Sequence, residues 1–413
     1  MGSALGRPNR KRSNFDGDDA PVAVASDDVF PSDVLREIFL RLPAKDLCCL
    51  RVVCRSWRSL TSDPTFAESH SRRHPVVIAL HNLSTCTSDD ESLFNYLSFH
   101  KKVPEIHFID LASGDIVRRI TTVPRRSFHL SVQLDDYVCV SVYKAPSVVL
   151  DTATGEVANL RSTKSAVPVS PFLLGFVPST GELKVLRFRL DFEDIFFNGG
   201  QYLHHCYAMA FDGDGGDYVW RELPRPGVHL ELTPGNTAVV GGVAYFLLRV
   251  SHKETSAEPD SIASLDLATE EWRPSTIRGP VSSLLGGTDP YYGPRKDFRL
   301  AELNGSLVMV HCTYCCLMDI WFLVDIDKGV WSRRYSIQCE PEWVHHREFY
   351  PVMVLDDGRL VMSMLTEPVI RIYDPRTSTW ATVMVTGGEK YSAGSSHVGR
   401  LLCPSINFLA ADI

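Results

Sequence analysis

The feature that most constrains the fold of this 413-residue chain is an internal repeat. Three segments carry an aspartate followed six positions later by a tryptophan: IASLDLATEEW (Asp266, Trp272), WFLVDIDKGVW (Asp325, Trp331) and VIRIYDPRTSTW (Asp374, Trp380). Two earlier segments, IHFIDLASGDI (Asp110, Ile116) and SVVLDTATGEV (Asp151, Val157), keep the spacing with an aliphatic residue, and YAMAFDGDGGDYVW (Asp212, Trp220) stretches the loop. Each copy reads as strand, turn, strand. The carboxylate accepts N–H groups of the turn, and a large side chain opens the next strand. The steps from Asp110 through Asp151, Asp212, Asp266 and Asp325 to Asp374 are 41, 61, 54, 59 and 49 residues, about one four-stranded blade each. Radially repeated blades leave only short, protected edges. The region from residue 74 to 413 is therefore expected to be an all-β propeller of six or seven blades; a β-sandwich, or two stacked β-domains, is the alternative.

The first 73 residues have a different texture. Residues 1–28 are Gly, Pro, Ser, Asp and Arg with few large apolar side chains, and are expected to be a disordered tail. Within it, Arg10-Lys11-Arg12 is either part of a nuclear-import signal or a solvated run. From residue 29 to 73 the period is helical. Ser32 is placed as an N-cap, and Leu35, Ile38, Phe39 and Leu42 follow at i, i+3, i+4 and i+7. Pro43 ends that helix, a second stretch carries Leu47, Leu50, Val53, Cys54 and Trp57, and Asp63-Pro64 is expected to stop it. Two or three short helices result.

That second stretch contains LCCLRVVCRSW, with three cysteines in seven positions. Zinc sites need soft ligands at convergent spacing. Cys48 and Cys49 are adjacent, so on a helix they point apart, and no histidine is near in sequence. Cys312 and Cys315 in HCTYCC lack a second ligand pair. The thiols read as small hydrophobes. A unit of this size buries too little surface to be secure alone, and it has more apolar positions than one stripe per helix needs. Some of them should face a partner.

Taken together, FPSDVLREIFLRLPAKDLCCLRVVCRSWRSLTSDPTF closely resembles the F-box, the helical module that docks on a Skp-type adaptor of cullin–RING ubiquitin ligases. The resemblance rests on Phe30-Pro31, the D-x-L-x-E-I run from Asp33 to Ile38, Arg41-Leu42-Pro43, the V-C-R-S-W run from Val53 to Trp57, and the closing D-P-T-F. Phe30 departs from the usual leucine. The resemblance implies that Phe30, Pro31, Leu35, Ile38, Leu42, Leu47, Cys54 and Trp57 form the adaptor-facing and inter-helix surface. The remainder resembles the F-box-associated domains of plant F-box proteins, through segments such as LAELNGSLVMV, MDIWFLVDIDKGVWSRRYSI and LDDGRLVMSM. The implied partners are the adaptor, through it a cullin–RING ligase, and a protein substrate that the propeller recruits.

Catalytic chemistry is not legible. There is no P-loop, no G-x-S-x-G elbow and no H-E-x-x-H. DGDGGD (Asp212–Asp217) has Leu223 where a calcium loop needs a bidentate glutamate. His204-His205 and His345-His346 are adjacent pairs, which point to opposite faces of a strand. No catalytic, cofactor or metal residue is assigned. A propeller hydrolase with an appended docking module is the alternative function, and it requires carboxylates or metal ligands converging on the channel. The net charge of −8 argues against bulk binding to nucleic acid or anionic lipid. With no apolar run long enough to span a bilayer and no signal-peptide h-region, the expected location is cytoplasmic or nuclear, with reduced cysteines. The sequons at Asn82 and Asn304 are then idle. For substrate binding, the candidates are aromatic residues in two long insertions: Phe196 and Phe197 in DFEDIFFNGGQ, and Tyr291 and Tyr292 in GGTDPYYGPRK.

Overall fold

The structure, a computed structural model, describes residues 30–81, 105–121, 127–133, 137–142, 147–151, 157–160, 172–190, 204–211, 219–232, 235–249, 258, 260–285, 298–312, 317–339, 349–364, 370–383 and 400–401. Residues 1–28 lie outside these, as do the insertions carrying Phe196, Phe197, Tyr291 and Tyr292, and all of DGDGGD.

Four short helices come first: α1 (Ser32–Phe39), α2 (Ala44–Leu50), α3 (Arg55–Thr61) and α4 (Pro64–Arg73). The expected two or three become four because Asp63-Pro64 starts a helix as well as ending one. Pro64 occupies the first helical turn, where its missing N–H costs nothing, and Asp63 Oδ1 accepts the N–H of Thr65 at 3.1 Å. Ser32 is not the cap of α1. Pro31 holds that position, without a side-chain hydrogen bond.

The β region is a ring of antiparallel sheets. Blade 1 takes β1 (Val76–His81), β2 (Glu105–Asp110) and β3 (Ile116–Thr121) from its start and β23 (Arg400–Leu401) from its end. Blade 2 is β4 (Ser127–Gln133), β5 (Tyr137–Val142), β6 (Ser147–Asp151) and β7 (Val157–Leu160). Blade 3 is β8 (Leu173–Val177), β9 (Glu182–Leu190), β10 (His204–Phe211) and β11 (Arg221–Glu222). The fourth sheet has three strands: β12 (Thr237–Val240), β13 (Val243–Leu247) and β14 (Ile262–Asp266). A helix, α5 (Pro280–Leu285), follows it. Blade 5 is β15 (Phe298–Leu303), β16 (Ser306–Cys312), β17 (Leu317–Asp325) and β18 (Val330–Gln338). The last is β19 (Phe349–Val354), β20 (Leu360–Met364), β21 (Ile370–Asp374) and β22 (Thr379–Val383).

The expected six or seven four-stranded blades are thus corrected. Among the described residues five sheets have four strands, and the fourth sheet in chain order has three. Its outer strand is reduced to two isolated bridges, Leu265 to Trp272 and Ile262 to Ile277. Arg273-Pro274 follows Trp272, and a proline cannot donate to a continuing ladder.

Each sheet buries both faces, since alternate residues of a strand point to opposite sides. On β17, Met318, Ile320 and Phe322 pack toward Leu360 and Met362 of the last blade, while Trp321 and Leu323 pack toward Tyr245 and Ile262 of the fourth. Such apolar clusters join every successive pair of sheets. The last of them sets Val352, Met353 and Val361 against Val77 and Ile109 of blade 1, and so returns to the start. The chain ends close the ring as well: Val76 pairs with Leu401 and Val77 with Arg400. The hairpin between β15 and β16 turns on Asn304-Gly305, both at positive φ, as a two-residue turn of the primed type requires.

In five of the six copies the aspartate ends the third strand of its sheet: Asp110 on β2, Asp151 on β6, Asp266 on β14, Asp325 on β17 and Asp374 on β21; Asp212 lies outside the described residues. Its carboxylate receives turn N–H groups, as expected. Asp266 Oδ1 accepts from Ala268 and Thr269, Asp325 Oδ1 from Asp327 and Lys328, and Asp374 Oδ1 from Arg376. The tryptophan lies opposite the third strand and reaches back to the preceding blade. Trp272 Nε1 donates to the Pro224 carbonyl at 2.8 Å, and Trp331 Nε1 to the Arg278 carbonyl at 2.9 Å. The repeat therefore encodes two things, a turn within a blade and a link between blades.

Candidate functional site

The helical unit has a core of its own. On α1, Leu35 and Phe39 are one turn apart and both buried, and with Leu40, Leu47, Cys48 and Phe66 they fill the space between the helices. Trp57 meets Phe39 edge to face, with ring centroids 5.0 Å apart. Of the eight residues expected on the adaptor-facing and inter-helix surface, Leu35 and Leu47 lie in the inter-helix core. Leu42 and Trp57 are half-buried against that core. Phe30, Pro31, Ile38 and Cys54 are exposed.

A second apolar stripe runs along α1 on the side away from the core. Phe30, Val34 and Ile38 succeed one another at i+4 spacing and are 50%, 45% and 43% exposed. The turn between α2 and α3 adds Val52 and Val53, at 86% and 59%. Nine large apolar side chains are left exposed among the described residues, and five of them fall between Phe30 and Val53. Scattered exposed valines need no explanation, but this concentration in so small a unit makes these side chains the candidate contact surface. Val34, Val52 and Val53 were not among the sequence candidates. For Val34 a signal was present, since it completes the stripe between Phe30 and Ile38.

The three cysteines of LCCLRVVCRSW have three different surroundings. Cys48 is in the core, and burial pushes its thiol above the ordinary range, so it is inert. Cys49 is exposed. Cys54 caps α3, its Sγ accepting the Trp57 N–H at 3.4 Å. Among the described residues no group of three or more His, Cys, Asp or Glu is arranged to hold a metal ion. Polar contacts tie α1 to α4 around the core: Arg36 donates to Ser69 Oγ at 3.1 Å, and Arg73 spans both oxygens of Glu37 at 3.1 and 3.2 Å. These contacts hold the unit's shape around its core, while Phe30, Val34 and Ile38 along α1 and Val52 and Val53 between α2 and α3 stay exposed.

Comparison with known proteins yields two family matches. Residues 29–68 match the F-box domain, and residues 82–407 match the F-box associated beta propeller domain. Curated relatives include two F-box/kelch-repeat proteins of Arabidopsis thaliana. One is 24% identical over 315 residues, covering 74% of this chain and 68% of the relative; the other is 26% identical over 349 residues, covering 80% and 73%. An F-box protein of the same plant is 25% identical over 360 residues, covering 81% of this chain and 70% of its own length. A solved nidogen/laminin complex aligns with a TM-score of 0.43 at 10% identity over 79% of this chain and 98% of that one, a likeness too loose to add to the fold.

Proposed function

Because the chain belongs to the F-box proteins that carry an F-box associated beta propeller domain, we propose that it is the substrate-recognition subunit of a Skp–cullin–F-box ubiquitin ligase. The exposed ridge of Phe30, Val34, Ile38, Val52 and Val53 docks on a Skp-type adaptor. The propeller holds a protein substrate, and the assembly brings its lysines to the ubiquitin thioester. The chain contributes no catalytic group. It acts through effective concentration, by making an encounter between substrate and thioester intramolecular. Its place of action is the cytoplasm or nucleus, where its cysteines stay reduced. Phe196, Phe197, Tyr291 and Tyr292 remain the proposed substrate contacts. The hydrolase alternative draws no support from either family match.

The observation that carries this reading is that the helical core is already complete without the ridge. A free-standing unit would gain nothing from leaving five large apolar side chains in water. The test is co-purification of a Skp-type adaptor with the full chain and with Val34→Asp/Val52→Asp/Val53→Asp. Each aspartate would have to be desolvated in the contact, so adaptor capture should fall by at least a hundredfold. Helical circular dichroism and the melting temperature should be unchanged. Adaptor capture at the wild-type level would refute the ridge as the docking surface.

A further inference from the structure

The helical unit carries a charge opposite in sign to that of the rest of the chain. Residues 30–73 hold eight Lys and Arg against five Asp and Glu, a net of +3; the whole chain is −8, so the remainder carries −11. Ion pairs take up three of the eight cations. Arg36 lies 3.6 Å from Asp63, Arg72 2.7 Å from Glu68 and Arg73 3.1 Å from Glu37. A fourth, Arg51, donates to Ser62 Oγ at 2.9 Å. Arg41, Lys45, Arg55 and Arg58 are left, all exposed, and no carboxylate of the described residues forms an ion pair with them. Against them stand Asp33 and Asp46, the acids of the unit outside those pairs.

The two sets of cations occupy different places. Those in ion pairs belong to α4: Arg72 and Arg73 are on it, and Arg36 reaches it by donating to the Thr65 carbonyl at 3.2 Å and to Ser69 Oγ at 3.1 Å. The unpaired four flank the segments of the apolar ridge instead. Arg41 comes just after Ile38, its N–H donating to the Ile38 carbonyl at 3.1 Å. Lys45 is in the first turn of α2, whose far end leads to Val52 and Val53. Arg55 opens α3 directly beyond them, and Arg58 lies one turn further on the same face.

Apolar side chains attract a partner only at contact, whereas charges act before it. Salt limits their reach to about 8 Å under physiological conditions, so an approaching surface feels the cations beside the ridge more than the distant charge of the propeller. Charges at the border of an interface chiefly raise the association rate and fix the orientation of the encounter, while the apolar centre sets how slowly the partners part. A nucleic acid would use the cations, yet its phosphates have no use for Phe30, Val34, Ile38, Val52 and Val53 between them, so a protein is the better occupant. We propose, resting on adaptor docking through the ridge, that the adaptor's apolar groove is bordered by carboxylates, and that Arg41, Lys45, Arg55 and Arg58 steer the F-box onto it.

The test is stopped-flow binding of a purified, fluorophore-labelled Skp-type adaptor to the full chain. Association should slow by about tenfold or more between about 0.1 and 1 M NaCl, as the screening length contracts from about 10 Å to about 3 Å. Dissociation should change by less than about twofold. Arg41→Gln/Lys45→Gln/Arg55→Gln/Arg58→Gln should associate about tenfold more slowly than wild type at the lower salt and equally fast at the higher, with dissociation again little changed. Arg41→Lys/Arg55→Lys/Arg58→Lys should keep the wild-type rate, since steering needs the charge and not the guanidinium fork. Helical circular dichroism of each variant should match wild type, because all four side chains are exposed. If the adaptor binds through the valines but its association rate ignores both salt and the four glutamines, the steering is overturned and docking by the ridge stands. If wild type captures no adaptor at any salt, both fall. Binding of a random-sequence DNA duplex that needs the four cations and is indifferent to Val34→Asp/Val52→Asp/Val53→Asp would assign the cations to nucleic acid and also overturn the proposal.

Discussion

Lys184 offers a direct measure of how strongly neighbouring blades are tied. It lies on β9 of blade 3, with only 6% of its side chain exposed, and its ammonium group reaches the turn after β14. There it donates to the Leu267 carbonyl at 2.6 Å and to Glu270 Oε1 at 2.8 Å. Glu270 also receives Arg221, whose side chain is 63% exposed. Lys184→Met keeps the apolar stem and removes both bonds. Loss of the charge-assisted bond and of the donor to a buried carbonyl costs about 2 kcal/mol each. Relief of the ammonium's own desolvation offsets part of this, leaving a net loss of about 3 kcal/mol. Glu270 is not orphaned, because Arg221 remains. At about 2 °C per kcal/mol for a domain of this size, the melting temperature should fall by about 6 °C. Arg221→Met removes a partner of the same carboxylate from the solvent side and should cost less than about 1 kcal/mol. Thermal unfolding followed by tryptophan fluorescence measures both. If Lys184→Met melts no lower than Arg221→Met, the buried tie contributes nothing beyond a surface pair.

Two further outcomes follow from the ring and from the helical core. Truncation after Ala393 deletes β23 and leaves the inner edge of β1 unpaired. The single cooperative β transition should then broaden and shift downward in calorimetry, and an unchanged transition would contradict closure through the chain ends. For His70, burial lowers the pKa below the ordinary 6.5, so the unfolded chain takes up a proton that the folded chain refuses. Stability should therefore fall as pH drops below about 6.5. His70→Gln, neutral throughout, should lessen the loss in urea midpoint between pH 7.5 and 5.5. An equal acid loss in both proteins would place its origin in another group.

Much of the fold was legible because it is repeated or local. The six-residue spacing from Asp to Trp marked the third strand, the turn and the strand that follows, since a carboxylate at a strand end and a bulky side chain across the turn are short-range requirements. The helical stripe was legible for the same reason. Misreadings arose where one residue pair serves two elements. Asp63-Pro64 closes α3 and opens α4, and a proline is a stop or a start depending on which side of it the helix lies. The thin fourth sheet was also hidden, because its copy of the repeat keeps Asp266 and Trp272 while the outer strand dissolves just beyond them.

What the sequence determined by itself was the kind of contact each residue type could make: aspartates that hold turns, apolar alternation that buries both faces of a sheet, and a helical unit with more apolar side chains than its core could use. Which side chains were the surplus was decided only by the tertiary structure. Leu35 and Val34 are adjacent and equally apolar, and their opposite fates depend on where Phe66 of α4 and Leu47 of α2 come to lie. Asp110 carries the same turn signal as Asp325 and Asp374, yet it alone among them meets His74, because blade 1 is the blade on which the helices rest. Periodicity is a property of neighbours along the chain. Burial and pairing between distant segments depend on packing, and no local pattern contains it.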